Sequence, residues 1–152
     1  MPKWAITLTA AIILIGLLIG YFGFPRSSDE KGQILSIIAE AEQAANAGQF
    51  IRLLRYVAED YHDSSGYTKR DLKRLALQAE QSGHIWRITA TVNGIVVSGR
   101  TASVQVGVDV WEAGSTKSEH YDLRLRMVKR RRWYVIAAEG WQKAIEDTAG
   151  RE

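Results

Sequence analysis

Residues 86–110, WRITATVNGIVVSGRTASVQVGVDV, set the architecture of this chain. Trp86, Ile88, Ala90 and Val92 alternate with Arg87, Thr89 and Thr91, and that period of two belongs to a half-buried strand. Asn93-Gly94 breaks the alternation and predicts a bulge or kink before Ile95-Val96-Val97. Gly99-Arg100 turns the chain. Ala102, Val104, Val106, Val108 and Val110 then alternate with Thr101, Ser103, Gln105, Gly107 and Asp109. Two long strands with one apolar face each and a short turn between them make an antiparallel hairpin.

Downstream the period persists. Ala113-Gly114-Ser115 turns the chain, and Tyr121, Leu123, Leu125 and Met127 alternate with Asp122, Arg124 and Arg126. A basic turn, Lys129-Arg130-Arg131-Arg132, precedes a last apolar strand at 133–138; residues 139–152 read as a polar tail carrying Trp141, a candidate for an exposed aromatic alongside Trp111. Upstream the period is helical. Ile34, Leu35, Ile37, Ile38, Ala41, Ala44 and Ala45 recur at three- and four-residue spacing after a start at Ser28-Asp29-Glu30, and Gly48 closes the run. Phe50, Leu53, Leu54 and Val57 form the stripe of a second, short helix. Thr68 and Asp71 approximate a capping box for a third over 69–81. The spacing therefore predicts an α+β domain, three helices packed on a curved four-stranded antiparallel sheet.

Before the helices lies WAITLTAAIILIGLLIGYFGF, residues 4–24, a run of 21 without a charge. As a helix it would reach roughly 30 Å, the thickness of a bilayer's hydrocarbon core. It is longer than a signal-peptide core, and Gly20 and Gly23 do not make an A-x-A-like cleavage site. Trp4, Tyr21 and Phe22 suit the two interfaces. The expectation is an uncleaved single-pass anchor over 1–24, a linker over 25–31, the α+β domain over 32–141 and the tail over 142–152. Lys3 on one side nearly balances Arg26 and Lys31 on the other; a very short leading tail favours an extracytoplasmic domain on the inner (cytoplasmic) membrane.

Residues 25–152 carry 19 of the 20 Lys and Arg against all 17 acids, so the excess is small and not a nucleic-acid footprint. With no cysteine, disulfides, thiolate metal sites and cysteine catalysis are excluded. His62, His84 and His120 lack the spacing of a metal site, and no cofactor motif is present. The basic turn reads first as a solvated hairpin tip that discourages edge aggregation, and second as a contact for anionic lipid headgroups.

The chain resembles the nuclear transport factor 2-like superfamily, which includes ketosteroid-isomerase-like and polyketide-cyclase-like domains. AEQAANAGQFIRLLRYVAEDYHD is similar to that family's opening helical pair, with Gln49 where an acid is common. GYTKRDLKRL is similar to its third helix start, VNGIVVSGRTASVQVGVDV to its hairpin, and LRLRMVKRRRWYVIAAEGW to its closing strands, with Arg132 in place of a turn glycine. The resemblance implies a cone-shaped sheet around helices with a pocket at its open end, and frequent dimerisation through the sheet. Several membrane-tethered members of that superfamily are non-enzymatic parts of envelope complexes, such as inner-membrane components of type IV secretion systems, and the resemblance extends that expectation to this chain. The fold hosts enzymes and assembly modules alike, so it does not choose between them.

Acid–base chemistry at the cone's mouth would draw on Asp60, Tyr61, His62 and Asp63, with Trp86, Trp111, Trp133 and His120 from the strands. The candidate catalytic groups are His62, Asp60 and Tyr61; the candidate pocket is Tyr61, His62, Trp86 and Trp133. The competing reading makes DYHDSSG a solvated turn, with Tyr61 closing the core, and it is preferred. Asp109 and Asp122 fall on polar strand faces, which weakens an isomerase-like case. Trp111, Arg124 and Arg126 share the polar sheet face and are the candidate interface. The expectation is a membrane-anchored, non-catalytic binding or assembly module with a protein partner or a second copy of itself. The alternative is a small-molecule enzyme, or a carrier holding a small apolar ligand in the cone.

Overall fold

The computed structural model describes residues 29–141 and 143. The expected membrane span at 4–24, the helix start proposed at Ser28 and nearly all of the expected tail lie outside the described residues. Among the described residues, no helix is long and apolar enough to cross a membrane.

Helix α1 (Glu30–Asn46) is capped by Asp29, whose carboxylate accepts the Gly32 amide at 2.6 Å. Its buried stripe of Ile34, Ile38, Ala41, Ala44 and Ala45 grows smaller toward the C-terminus, letting the helix lie close on the sheet. Asn46 fixes that end, donating to Ile88 O at 3.0 Å and accepting from Ile88 N at 2.8 Å. Helix α2 (Phe50–Leu53) tightens into a 3₁₀ turn at Leu54–Tyr56. It stops short of the expected Val57 because Val57 leaves to bridge Val135. Helix α3 (Lys69–Gln81) starts on a complete capping box between Thr68 and Asp71.

The strands β1 (Trp86–Ser98), β2 (Thr101–Glu112), β3 (Ser118–Lys129) and β4 (Trp133–Glu139) pair in sequence order, every pair antiparallel. Asn93 is the extra residue of a bulge between Val92 and Gly94, as its Asn-Gly dipeptide predicts. A second bulge leaves Ile136 unpaired between Val135 and Ala137. Each bulge adds twist, and together they curl the sheet around the helices. The second also explains how β4 avoids a bare edge. The carbonyls of the successive residues Val135 and Ile136 both reach outward, accepting from Ala58 N at 2.9 Å and His62 N at 3.1 Å.

Inside the curl the largest fully buried side chains are Trp133, Trp141, Tyr61, Phe50 and Ile34. Trp86 is also buried. Trp141 corrects the expectation of an exposed tail residue. Gly140 adopts φ +100, and a Cβ on it would lie 2.1 Å from the Asp122 carbonyl oxygen, so only glycine lets the chain fold back there. The turn drops Trp141 into the core, its indole N–H donating to Ala138 O at 3.0 Å and its ring edge-on to Tyr67 at 4.7 Å.

Candidate functional site

The segment 60–67 holds the residues the sequence offers for acid–base chemistry, and the structure disperses them. Asp60 is exposed, and the Arg130 guanidinium 2.7 Å away holds its carboxyl below the usual range. Tyr61 is buried and donates its hydroxyl to Asp63 at 2.8 Å; burial first, then the Asp63 charge, pushes its phenol far up, so it stays protonated. Asp63, only 2 % exposed, also accepts the amides of Ser65 at 3.0 Å and Tyr67 at 3.1 Å. It is the hub of a local turn. The His62 ring is exposed and has no hydrogen-bond or ion-pair partner among the described residues.

Trp86 and Trp133 do not meet at a shared mouth. The ladder pairs Trp86 with Glu112 at one end of the sheet, while Trp133 pairs with Lys129 at the end where Ser98 meets Thr101 and Thr101 meets Val128. They therefore occupy opposite corners. Trp133 donates its indole N–H to Glu30 at 2.7 Å. Trp86 stands 5.7 Å from the His84 ring, and its own indole nitrogen has no hydrogen-bond partner among the described residues.

The outer sheet face gathers more. Register sets Arg87 beside Trp111, Gln105 beside Arg124 and Ser103 beside Arg126. Trp111 is half-buried, with the Arg87 guanidinium 4.8 Å above its ring, a cation–π contact; Arg124 and Arg126 are exposed. Between them His120 meets Asp109 at 2.8 Å through Nδ1 and Asp122 at 3.2 Å through Nε2. The Asp109 bond, then the Asp122 bond, raises the imidazole above its ordinary value. Gly107 lies beneath the ring, and a Cβ there would stand 3.2 Å from His120 Cε1. A neighbouring cavity of about 350 Å³ is lined by Asn93, Gln105, Asp122, Arg124 and Glu139 among others. With both ring nitrogens engaged, this cluster presents fixed charge and hydrogen-bonding edges more readily than it moves a proton. The two-residue spacing of His120 and Asp122 places them on one face in the sequence alone; Asp109 joins them only through the β2–β3 register. Among the described residues, no group of three or more His, Asp or Glu side chains is disposed to hold a metal ion.

On the helix side two clefts, of about 600 and 480 Å³, share Arg55, Glu59 and Lys69. The first runs along Thr68, Arg70 and Lys73 at the start of α3; the second reaches Arg130, Arg131 and Arg132.

By sequence, the chain matches no protein-family model and no curated protein. By structure it is similar to a domain of unknown function with a cystatin-like fold from Nostoc punctiforme, at TM-score 0.61 and 15% identity over 83% of this chain and 89% of that one. It is also similar to a nuclear transport factor 2-like protein from Cytophaga hutchinsonii (TM-score 0.55, 18% identity, 72% of this chain and 95% of that one). A further likeness is to such a protein of unknown function from Shewanella oneidensis (TM-score 0.58, 15% identity, 71% and 95%). The described domain thus has the nuclear transport factor 2-like, cystatin-like cone fold. At these identities the likeness defines the fold alone.

Proposed function

We propose that this chain is a non-catalytic binding or assembly module of the bacterial cell envelope. In this reading residues 4–24 tether it to the inner membrane, the cone domain stands on the extracytoplasmic side, and the outer face of the sheet meets a protein partner or a second copy. The observation that carries the non-catalytic part is the packing of the cone. Trp133, Trp141, Tyr61 and Phe50 occupy its interior, and Tyr61 and Asp63 are spent on holding a turn. The tether rests on the uncharged 21-residue run. The contact surface rests on Trp111, Arg124 and Arg126, an aromatic and two arginines, the residue types that dominate binding energy at interfaces.

Native mass spectrometry of the full-length protein, extracted in mild detergent, tests this reading. Protein-sized additions or doublings are expected. Trp111→Ala or Arg124→Glu should weaken them about tenfold or more, equivalent to about 1.4 kcal/mol. His62→Ala should leave them intact. Additions of small-molecule mass, or association indifferent to both face variants, would overturn it.

A further inference from the structure

The basic β3–β4 turn is tied to the point where the chain enters the domain. Glu30, the first residue of α1, pairs with Lys129 and accepts the Trp133 indole N–H at 2.7 Å. These two bonds to Glu30 lower its carboxyl, the Lys129 bond most. Glu30 is six residues beyond Phe24, the last residue of the uncharged run. Whatever path the intervening chain takes, six residues span at most about 20 Å. The turn therefore lies at the end of the domain nearest any bilayer that holds residues 4–24.

That end is also where cations collect. The clefts bring Arg55, Lys69, Arg70 and Lys73 alongside Arg130, Arg131 and Arg132. The acids there are already engaged: Glu30 by Lys129, Glu59 by Lys69, Asp60 by Arg130, and Asp71 by Arg74 and the Thr68 cap. Arg55, Arg70, Lys73 and Arg131 are exposed and have no carboxylate partner among the described residues. Arg132 donates to the Arg55 carbonyl at 2.9 Å and lies 5.1 Å from the Tyr134 ring, which leaves its charge unneutralised. At the far end of the sheet the 113–117 turn carries only Lys117, with Glu112 and Glu119 flanking it.

We propose that this cationic end, formed by the β3–β4 turn, Arg55 and the first turn of α3, docks on the anionic phospholipid headgroups of the membrane that tethers the chain. The inference rests on the tethered reading above and deepens it. Docking would set the domain's orientation, with α1 and the sheet rising from the bilayer and the outer face left open to a partner. The attraction of a negative surface falls off over a Debye length, about 10 Å at 0.1 M salt, so only cations held that close to the headgroups gain from it.

The test reconstitutes the full chain into nanodiscs of phosphatidylcholine alone and of phosphatidylcholine with about 30% phosphatidylglycerol, an anionic leaflet. Amide exchange over 129–132 and the start of α3 is then compared. Slowing of about threefold or more in the anionic discs is expected, reversed by raised salt and lost in Arg131→Glu/Lys73→Glu, two exposed positions whose replacement spares the fold. Lys117→Glu at the far turn should change nothing. Stable insertion in both discs with identical exchange overturns the docking while leaving the tether intact. Failure to insert in either overturns the tether. Salt-releasable binding to anionic discs alone overturns the tether and supports the docking.

Discussion

Replacing Asp63 separates a structural turn from a catalytic one. Its carboxylate is 2 % exposed and accepts three hydrogen bonds, from Tyr61 Oη at 2.8 Å, Ser65 N at 3.0 Å and Tyr67 N at 3.1 Å. In Asp63→Ala the Tyr61 hydroxyl loses the acceptor of its proton inside the core, at a cost of about 1–3 kcal/mol. The two amides are only partly buried and recover some water, so each adds about 0.5–1 kcal/mol. The sum is about 3 kcal/mol, which for a domain of this size lowers the thermal midpoint by on the order of 10 °C. Asp63→Asn keeps a carbonyl for the amides and offers its N–H₂ to the Tyr61 oxygen, so its cost should be nearer 1 kcal/mol. His62→Ala, at an exposed ring, should stay within about 0.5 kcal/mol. Near-UV circular dichroism of the full chain during heating, in mild detergent, reads all three. A midpoint in Asp63→Ala within a degree or two of the parent would refute this account of the turn. So would equal losses in the Asn and Ala variants.

At Gly140, a Cβ would meet the Asp122 carbonyl at 2.1 Å in a backbone of φ +100. Gly140→Ala should therefore cost at least about 3 kcal/mol, strain and overpacking together; an unchanged urea midpoint would contradict the fold-back. His120 should titrate above 6.5 in a proton NMR titration. Asp109→Asn should lower it more than Asp122→Asn, because the Asp109 bond is the larger cause. The sign follows from the raised folded value. The carboxylates stabilise the folded state fully below 6.5, and that contribution fades as pH rises through the folded value, so Asp109→Asn should flatten the stability profile there. Gly107→Ala, by pushing the ring off its seat, should lower the His120 value in the same titration.

Much of the fold is legible in the chain as a string. The alternation of Ala102 to Val110, the Asn93-Gly94 interruption and the Thr68–Asp71 cap are local signals, each governed by residues within a few positions of one another. Strand, bulge and helix start appear where those signals place them. Trp86 and Trp133 are buried as their register implies. Trp141 is the counterexample: in sequence it stands among polar residues, and only the approach of Gly140 to the Asp122 backbone brings it inside.

The site divides along the same line. The placement of Arg124, Arg126 and Trp111 on one face follows from a period of two. Local order does not say that Asp63 would be buried, that His120 would sit between two carboxylates, or that Glu30 would bind a lysine 99 positions away. Which segments become helices and strands, and which faces they bury, can be read from the chain alone. Those properties come from hydrophobic period and backbone preference, both short-range. Which charges meet, which aromatic residues fill the cone and which end gathers cations without a carboxylate partner among the described residues follow from the folded chain alone. Those depend on strand register and on the sheet's curl, which bring together side chains that no spacing along the chain relates.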